Sequence, residues 1–330
     1  MTGCGGPTGA DWPLASYGQG LAVRYLGPAR TDTAVDVARA TWSSAPAVVL
    51  ARDDTYPDAL AAGPVAAKVG GPVLLTDPNS LAPAVCAEIG RLGASTAYIL
   101  GDTSAVSGAV EGQLSSCGIT AVDRLEGPTR FDTAAAAGQF VGGNAVYVTE
   151  GADPNPTRGW PDAVAVSAVA AYQHRPILLT NSDSLPQATA GALRQMGVTQ
   201  ATIVGGSDVV SDNVAAQIQA MGITVNRVSG SDRYGTSKSV AALGASAGMN
   251  LTRTWLAIGN NWPDALAAGP AAAVNGNQLL LVDGTSLANS EATYGFLAAF
   301  GSQIAGLRLV GGPDVLSPLD QVQSLQAVAG

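Results

Sequence analysis

The amino-acid sequence predicts an α/β protein made of three tandem three-layer units, each with a parallel sheet. Three phrases recur in the same order at intervals of roughly one hundred residues, which indicates a repeated structural unit. Within a copy, short apolar runs alternate with longer helical patterns, as expected for a parallel sheet covered on both faces. Because units of this length can each close a hydrophobic core, we predict three similar small domains.

The first copy illustrates the alternation of strands and helices. Its apolar runs of four to six residues are typical of strands buried on both faces, and the stretches between them have helical patterns. The predicted strands are 47–51, 72–76 and 96–101, and the predicted helices are 58–69, 82–92 and 107–114.

The first recurring phrase is R-x-x-G-x-x-R-x-x-T, and it sets the predicted boundaries of the repeats. It begins at Arg24, Arg124 and Arg227. We therefore predict an N-terminal leader or linker over 1–23 and repeats over 24–123, 124–226 and 227–330.

The second arginine of that phrase is Arg30, Arg130 or Arg233. Two interpretations remain open for it. The guanidinium group pairs with a nearby carboxylate across a domain boundary, or it presents its planar fork to an anionic ligand at three equivalent places.

The second recurring phrase is an aromatic residue followed by Pro-Asp-Ala, with its aspartate at Asp58, Asp162 and Asp264. Proline is favoured in the first helical turn, and an aspartate there suits the positive end of the helix dipole. Each phrase therefore predicts the start of a helix. The Gly-Pro pairs at 63–64 and 269–270 predict a bend or a reset in the helices of copies one and three.

Polar loops follow the predicted strands and mark the candidate binding region. Ligands of open α/β sheets lie beyond the carboxyl ends of the strands. The loop containing Arg52, Asp53 and Asp54 occupies such a place, as do 150–160 and 259–262.

The composition disfavours a nucleic-acid partner. The chain has a net charge of -9 and only two lysines, Lys68 and Lys238, whereas a sequence-independent nucleic-acid binder needs a basic surface. A hydrophobic fraction of 47% is typical of a globular protein. No apolar run approaches the ~18 residues of a membrane-spanning helix.

Catalytic signatures are sparse. His174 is the single histidine, which excludes histidine-pair metal motifs. The serine of the Gly244–Gly248 segment matches a nucleophile-elbow pattern but ends a helical stretch, whereas that serine must sit on a strand-to-helix turn. No phosphate-binding or complete dinucleotide-binding glycine motif is present, so no cofactor is predicted.

The three cysteines leave two questions open. Cys86 and Cys117 permit one disulfide, but they are equally compatible with two buried thiols. The segment around Cys4 resembles the end of a bacterial lipoprotein signal, which predicts a possible lipid anchor, and a flexible glycine-rich terminus explains it as well.

Taken in order, these phrases resemble the bacterial cell wall binding repeat 2 family. The resemblance extends from Arg24 to Gln323. It rests on the two phrases above, on the segments Pro-Val-Leu-Leu-Thr and Pro-Ile-Leu-Leu-Thr, and on the strand-to-serine segments that end at Ser107, Ser211 and Ser317.

The resemblance implies three Toprim-like modules packed as a pseudo-threefold trimer within one chain. It implies a non-enzymatic protein of the cell wall or cell surface that is held non-covalently by an anionic wall polymer. The candidate ligand-binding residues are Arg30, Arg130, Arg233, Arg52, Asp53, Asp54, Asp58, Asp162, Asp264, Thr76 and Thr180.

Two other functions remain open from the sequence. The first is a metal-assisted hydrolase of an envelope component that uses Asp53, Asp54 or Glu150, although a Toprim-like catalytic site needs a D-x-D pair that the sequence lacks. The second is a structural or assembly protein without polymer binding. Copy three lacks the proline-led strand segment, so the three sites are expected to be unequal.

Overall fold

The computed structural model describes residues 21–153, 155 and 157–330, and over these residues it confirms the predicted α/β class. It contains three four-stranded sheets, and all paired strands are parallel. Cys4 and most of the predicted leader over 1–23 lie outside the described residues.

The strands are numbered along the chain. They are β1 (Ala22–Tyr25), β2 (Ala47–Arg52), β3 (Val73–Thr76), β4 (Thr96–Leu100), β5 (Ala121–Leu125), β6 (Ala145–Ala152), β7 (Ile177–Asn181), β8 (Gln200–Val204), β9 (Thr224–Val228), β10 (Asn250–Ile258), β11 (Asn277–Val282) and β12 (Gly306–Val310). The sheet orders are β3-β2-β4-β5, β7-β6-β8-β9 and β1-β12-β10-β11.

The α-helices cover the faces of these sheets. They are α1 (Arg30–Thr41), α2 (Ala62–Val69), α3 (Pro83–Leu92), α4 (Gly108–Leu114), α5 (Arg130–Val141), α6 (Pro161–Tyr172), α7 (Gln187–Gln195), α8 (Asp212–Gln219), α9 (Arg233–Ser246), α10 (Pro263–Val274), α11 (Glu291–Phe300) and α12 (Pro318–Ala329). Within the described part of the chain, no helix is both long and apolar enough to cross a lipid bilayer.

Each R-x-x-G-x-x-R-x-x-T phrase starts on a strand that pairs with the preceding repeat. β5 pairs with β4, and β9 pairs with β8. β1, the first strand of the chain, pairs with β12 of the third repeat. The predicted boundaries at 124 and 227 therefore fall within β5 and β9, and the exchange of strands closes the three repeats into a ring.

The first arginine of each phrase reinforces this exchange. Arg124 donates hydrogen bonds to the carbonyl oxygens of Gly101 and Val106 at 3.0 and 2.8 Å. The same type of bond joins Arg227 to Gly205 and Arg24 to Gly311, in both cases at 2.8 Å. These arginines thus hold the loops that follow β4, β8 and β12.

The helices that follow the Pro-Asp phrases meet at the centre of the ring. α2, α6 and α10 pack against one another in all three pairs. Their contact includes Gly63, Ser167 and Gly269: a Cβ atom at Gly63 would lie 3.2 Å from the Ser167 carbonyl oxygen, and one at Gly269 would lie 1.9 Å from the Ser167 Oγ. Small side chains are therefore required where the three helices approach.

The Gly-Pro pairs have different outcomes in the two copies that carry them. In copy one, a 3₁₀ helix over Pro57–Ala61 gives way to α2, which matches the predicted reset. In copy three, α10 continues as one helix with Pro270 inside it.

The largest hydrophobic core is shared among the repeats. It includes Leu60 of the 3₁₀ helix before α2, Val164 of α6 and Leu266 of α10, which are 1%, 1% and 4% exposed. Because the apolar surface of each repeat is buried against its neighbours, we expect the repeats to unfold together.

Cys86 and Cys117 form a disulfide, which settles the question that the sequence left open. The bond joins α3 to the short 3₁₀ helix Ser115–Cys117, across a sequence separation of 31 residues. It cross-links the outer layer of the first repeat.

Substitution of Gly269 by alanine is expected to lower the free energy of unfolding by about 1–3 kcal/mol, because the new methyl group overlaps Ser167. Adding Ser167→Gly should recover part of this loss. Urea unfolding of the two single variants and the double variant measures the coupling.

Gly295→Ala in α11 is the matched control, because nothing lies within 4 Å of the added methyl group. Gly295→Ala should be neutral or should stabilise by up to about 1 kcal/mol. Equal effects of Gly269→Ala and Gly295→Ala would show that the central contact does not restrict side-chain size.

Reduction of the disulfide is expected to lower the free energy of unfolding by about 3–4 kcal/mol, from the loop-closure entropy of the unfolded chain. Denaturant unfolding with and without a reducing agent measures the loss. The double variant Cys86→Ala and Cys117→Ala should not respond to the reductant, and an equally stable reduced wild type would contradict the expectation.

Candidate ligand-binding junctions between repeats

The Pro-Asp phrase and the R-x-x-G-x-x-R-x-x-T phrase come together at three equivalent junctions. At the first junction Asp58 lies beside Thr133, which belongs to the second repeat. At the second junction Asp162 lies beside Thr236, and at the third Asp264 lies beside Thr33. Each aspartate occupies the first turn of its helix as predicted, and its carboxyl group faces the threonine of the next repeat.

A glycine in each of the strand-to-serine segments that end at Ser107, Ser211 and Ser317 makes room for one carboxyl group. Gly101, Gly205 and Gly311 have φ of 94°, 117° and 118°, a region that favours glycine. A Cβ atom on them would lie 2.9, 2.5 and 2.9 Å from an aspartate Oδ2 atom, respectively. The sequence therefore keeps glycine at these turns for two reasons, the backbone conformation and the closeness of the carboxyl group.

Burial raises the pKa of all three aspartates. Desolvation is the largest cause at Asp58, Asp162 and Asp264, and the neighbouring threonine and arginine oppose it. The effect is largest for Asp162, where the charge of Glu150 adds to burial and the pKa rises to about 7. Asp162 is therefore substantially protonated near neutral pH.

The second arginine of each phrase projects at the same junction. Arg130 and Arg233 donate hydrogen bonds to the carbonyl oxygens of Gly151 and Gly259 at 2.7 and 2.5 Å, and Arg30 donates to that of Asp53. These three acceptors occupy equivalent positions, each directly after the residue that pairs in register with Thr76, Thr180 or Val282.

Two of these arginines also stack on an aromatic ring of the preceding repeat. The Cζ atom of Arg30 lies 5.5 Å from the centroid of Trp262, and that of Arg233 lies 5.6 Å from that of Trp160. Among the described residues, none of Arg30, Arg130 and Arg233 forms an ion pair with a carboxylate. The charge of each arginine nevertheless favours the ionised form of the Pro-Asp carboxyl group of the preceding repeat, so both interpretations of these arginines stay open.

The loop at the end of β2 brings together the other charged candidates of the first repeat. Arg52 donates two hydrogen bonds to the Asp54 carboxylate, at 2.5 and 2.6 Å, and this interaction lowers the pKa of Asp54. Burial raises the pKa of Asp53, and the positive charge of Arg30 opposes that shift. Arg30, Arg52, Asp53 and Asp54 thus lie around one strand end.

Thr76 and Thr180 lie at equivalent strand ends and are fully buried. The Thr76 hydroxyl donates to the carbonyl oxygens of Asp77 and Ser80, and the Thr180 hydroxyl donates to that of Ser184. Their side chains hold the turns that border the junctions, and a direct polymer contact through them stays a prediction.

The second junction contains a cleft of about 140 Å³. Glu150, at the end of β6, lines it and is only 2% exposed. Ser182 donates a hydrogen bond to the Oε1 atom of Glu150, whereas the Oε2 atom has no hydrogen-bond partner among the described residues. Burial raises the pKa of Glu150 as well. The sequence offered no signal that this carboxyl group is buried.

The remaining catalytic candidates are not assembled into a reactive group. His174 is exposed and lies in a loop with φ of 52°. The Ser246 hydroxyl donates to the Ala242 carbonyl oxygen at the end of α9, which agrees with the helical interpretation of that segment. Within the described residues, no group of three or more metal-ligating side chains is present.

The fold and the junctions define a repeat protein that presents several similar surfaces on one rigid ring. The model of cell wall binding domain 2 (CWB2) matches residues 24–111, 124–215 and 227–320. The chain belongs to this family, as its recurring phrases led us to expect. It is therefore a cell wall binding protein of three tandem repeats.

Relatives with established names support the same class. The chain is 28% identical over 266 residues to N-acetylmuramoyl-L-alanine amidase LytC of Bacillus subtilis, covering 80% of this chain and 51% of that protein. It is 29% identical over 290 residues to the amidase enhancer of the same organism, covering 84% of this chain and 38% of that protein. The chain thus spans about half or less of these relatives.

Solved structures share the fold. Cwp8 from Clostridium difficile matches with a TM-score of 0.80 at 25% identity, over 93% of this chain and 52% of that one. Cwp6 from the same organism matches with a TM-score of 0.79 at 25% identity, over 92% and 48%. The family and these relatives indicate a location in the cell wall or at the cell surface.

Substitution of Asp162 by asparagine is expected to reduce the dependence of stability on pH. The folded-state pKa of about 7 lies above the usual 3.8, so the folded wild type binds more protons and loses stability as pH rises between these values. Asparagine does not titrate, so it removes this loss of stability, which is at most about 4 kcal/mol. Urea unfolding at pH 5 and pH 8 measures the difference.

The comparison between the two proteins reports the titration of Asp162 together with its coupling to Glu150, since the remaining titrating groups are common to both. The stability of wild type should fall more between pH 5 and pH 8 than that of Asp162→Asn. Parallel pH profiles would contradict the raised pKa.

Proposed function

We propose that this protein binds an anionic cell-wall polymer through Arg30, Arg130 and Arg233 at the three junctions between repeats. One observation carries the proposal: these arginines occupy equivalent positions and donate to backbone carbonyl oxygens, and two of them, Arg30 and Arg233, also stack on a tryptophan. Each guanidinium group has five N–H donors in a planar fork, which leaves donors for an anionic oxygen.

The neighbouring candidates have supporting roles in this proposal. Asp58, Asp162 and Asp264 order the junctions, and Thr76 and Thr180 hold the adjacent turns. Arg52, with its charge partner Asp54, and Asp53 extend the polar surface of the first repeat. The polymer thus contacts the strand ends through arginines that the fold has already positioned.

The net charge of -9 requires recognition to be local. Exposed charges are screened beyond about 8–10 Å at physiological ionic strength, so long-range repulsion is weak and nearby arginines dominate the contact. Three weak sites on one rigid ring also raise the avidity for a polymer by about 10²–10⁴ when they are engaged together.

The proposal describes a non-enzymatic anchor that acts as a single chain of three modules. The sparse catalytic groups support this role, and amidase activity in a relative that is nearly twice as long as the matched region does not transfer to these repeats. A lipid anchor at Cys4 remains a separate proposal, because Cys4 lies outside the described residues.

Sedimentation with isolated cell walls tests the anchor. Binding should be lost when anionic polymers are extracted from the walls with acid. Arg30→Gln, Arg130→Gln and Arg233→Gln should each weaken binding about tenfold or more, since a hydrogen bond to a charged group contributes roughly 1.5–3 kcal/mol. The triple variant should not sediment with walls.

Arg194→Gln is the matched control, because Arg194 is exposed on α7 and lies in none of the junctions. Urea unfolding of every variant separates loss of binding from loss of folding. Unchanged sedimentation on extracted walls, or folded triple variants that still bind, would overturn polymer recognition and favour a structural role.

A further inference from the structure

The three junctions differ at one position that faces the Pro-Asp carboxyl group. Arg52, Glu150 and Ile258 occupy equivalent positions on β2, β6 and β10, since they pair in register with Thr76, Thr180 and Val282. In the first junction the positive charge of Arg52 stabilises the Asp58 carboxylate. In the second junction Glu150 takes this position and its charge opposes that of Asp162.

The second junction therefore buries two carboxyl groups and lacks the cation that its counterpart in the first repeat supplies. Glu150 and Asp162 are 2% and 8% exposed. The Oε2 atom of Glu150 is buried without a hydrogen-bond partner among the described residues. A buried acceptor without a donor is costly, so this atom marks a place for a donor from outside the chain.

The arginines of the cleft do not supply that donor. Arg158 pairs with Asp153 at 3.4 Å and donates to the Asp208 carbonyl oxygen. Arg233 donates to the carbonyl oxygens of Gly259 and Thr157 and stacks on Trp160. Both guanidinium groups donate their hydrogen bonds to partners other than Glu150. They contribute charge only: that of Arg158 favours ionised Glu150 and Asp162, and that of Arg233 favours ionised Asp162.

The balance of charge favours a cationic ligand. The charged groups that line the cleft are Glu150, Asp162, Asp208, Asp232, Arg158 and Arg233. Acidic groups outnumber basic ones in this set, and Asp153 adds another carboxylate beside Arg158. The cleft of about 140 Å³ is large enough for a small polar group, because a water molecule occupies roughly 30 Å³ of the liquid.

We propose that the cleft at the second junction binds a protonated primary amine carried by a cell-wall component. An ammonium group brings three N–H donors for the unpartnered Oε2 atom of Glu150 and adds positive charge where acidic groups outnumber basic ones. The inference rests on the proposed function only in that the wall supplies the amine, which is either an amino sugar or an ester-linked amino acid.

The raised pKa values of Glu150 and Asp162 give the site a proton linkage. An ammonium ion favours the ionised carboxylates, so binding should release a proton near neutral pH from Asp162, whose pKa is raised to about 7. Affinity for an amine should therefore rise as pH is raised from 5.5 to 7.5, as long as the amine itself remains protonated.

Ligand-observed NMR titrations of the full chain test the site with matched probes. Glucosamine is compared with N-acetylglucosamine, and D-alanine methyl ester with its N-acetyl derivative. The free amine of at least one pair should bind at least tenfold more tightly than its N-acetyl partner. Glu150→Gln should reduce that affinity at least tenfold.

Glu291→Gln is the control, because Glu291 is exposed in the first turn of α11 and does not line the cleft. Glu150→Gln removes a buried charge, so it should fold at least as stably as wild type, and urea unfolding verifies this. Glucosamine binding alone would identify an amino sugar, and binding of the ester alone would identify an ester-linked amino acid.

Equal binding of amines and their N-acetyl partners, or no binding of either amine, would overturn the amine site. These probes contain no anionic polymer, so their failure would leave wall sedimentation through the arginines intact. If the protein binds the amine probes but does not sediment with walls, the polymer anchor is overturned and the amine site in the cleft is supported.

Discussion

The arrangement of the three repeats depends on a buried carboxyl group at each junction. Removing a carboxyl group from water is unfavourable unless its surroundings replace the lost hydrogen bonds. Here each carboxyl group lies beside a threonine of the next repeat, which together with a nearby arginine favours its ionised form, and a glycine turn lets the carboxyl group approach closely. A repeat placed in a different orientation would leave the aspartate buried without these partners, so the junction selects one arrangement.

The same residues explain why the repeats form a ring instead of a linear array. Every repeat donates a strand to its predecessor, and β1 completes the sheet of the last repeat. At the centre, the close approach of α2, α6 and α10 requires small residues in all three helices. The strand exchange outside and the helix contact inside therefore enforce the same cyclic order, and the shared core couples the stability of the repeats.

The elements that the sequence predicted well are those whose signal is local. In the first copy, the predicted strands 47–51 and 96–101 correspond to β2 and β4 within one residue, because continuous apolar runs mark buried strands. β1, β5 and β9 were not predicted, since they are short, carry arginines and are partly exposed. Their pairing with another repeat is a tertiary property that periodicity does not encode.

The candidate site residues also divide into features that local sequence rules predict and contacts that only the tertiary fold creates. The Pro-Asp aspartates could be placed at helix starts from local rules, but their contact with the next repeat depends on the ring. The stacking of Arg30 on Trp262 joins residues from opposite ends of the chain. Glu150 has no local signal of burial either, because the Ser182 hydroxyl and the cleft around it come from other segments.

The pattern of similarity and difference among the junctions bears on how one protein recognises a polymer. The groups that hold repeats together are repeated: aspartate, glycine and threonine occur at all three junctions. The residue at the neighbouring strand end varies from Arg52 to Glu150 to Ile258, which are cationic, anionic and apolar. A fixed scaffold with different groups at equivalent places presents three distinct surfaces in a fixed cyclic order. Three identical junctions would present the same group at this position, whereas these junctions present a cation, an anion and an apolar side chain.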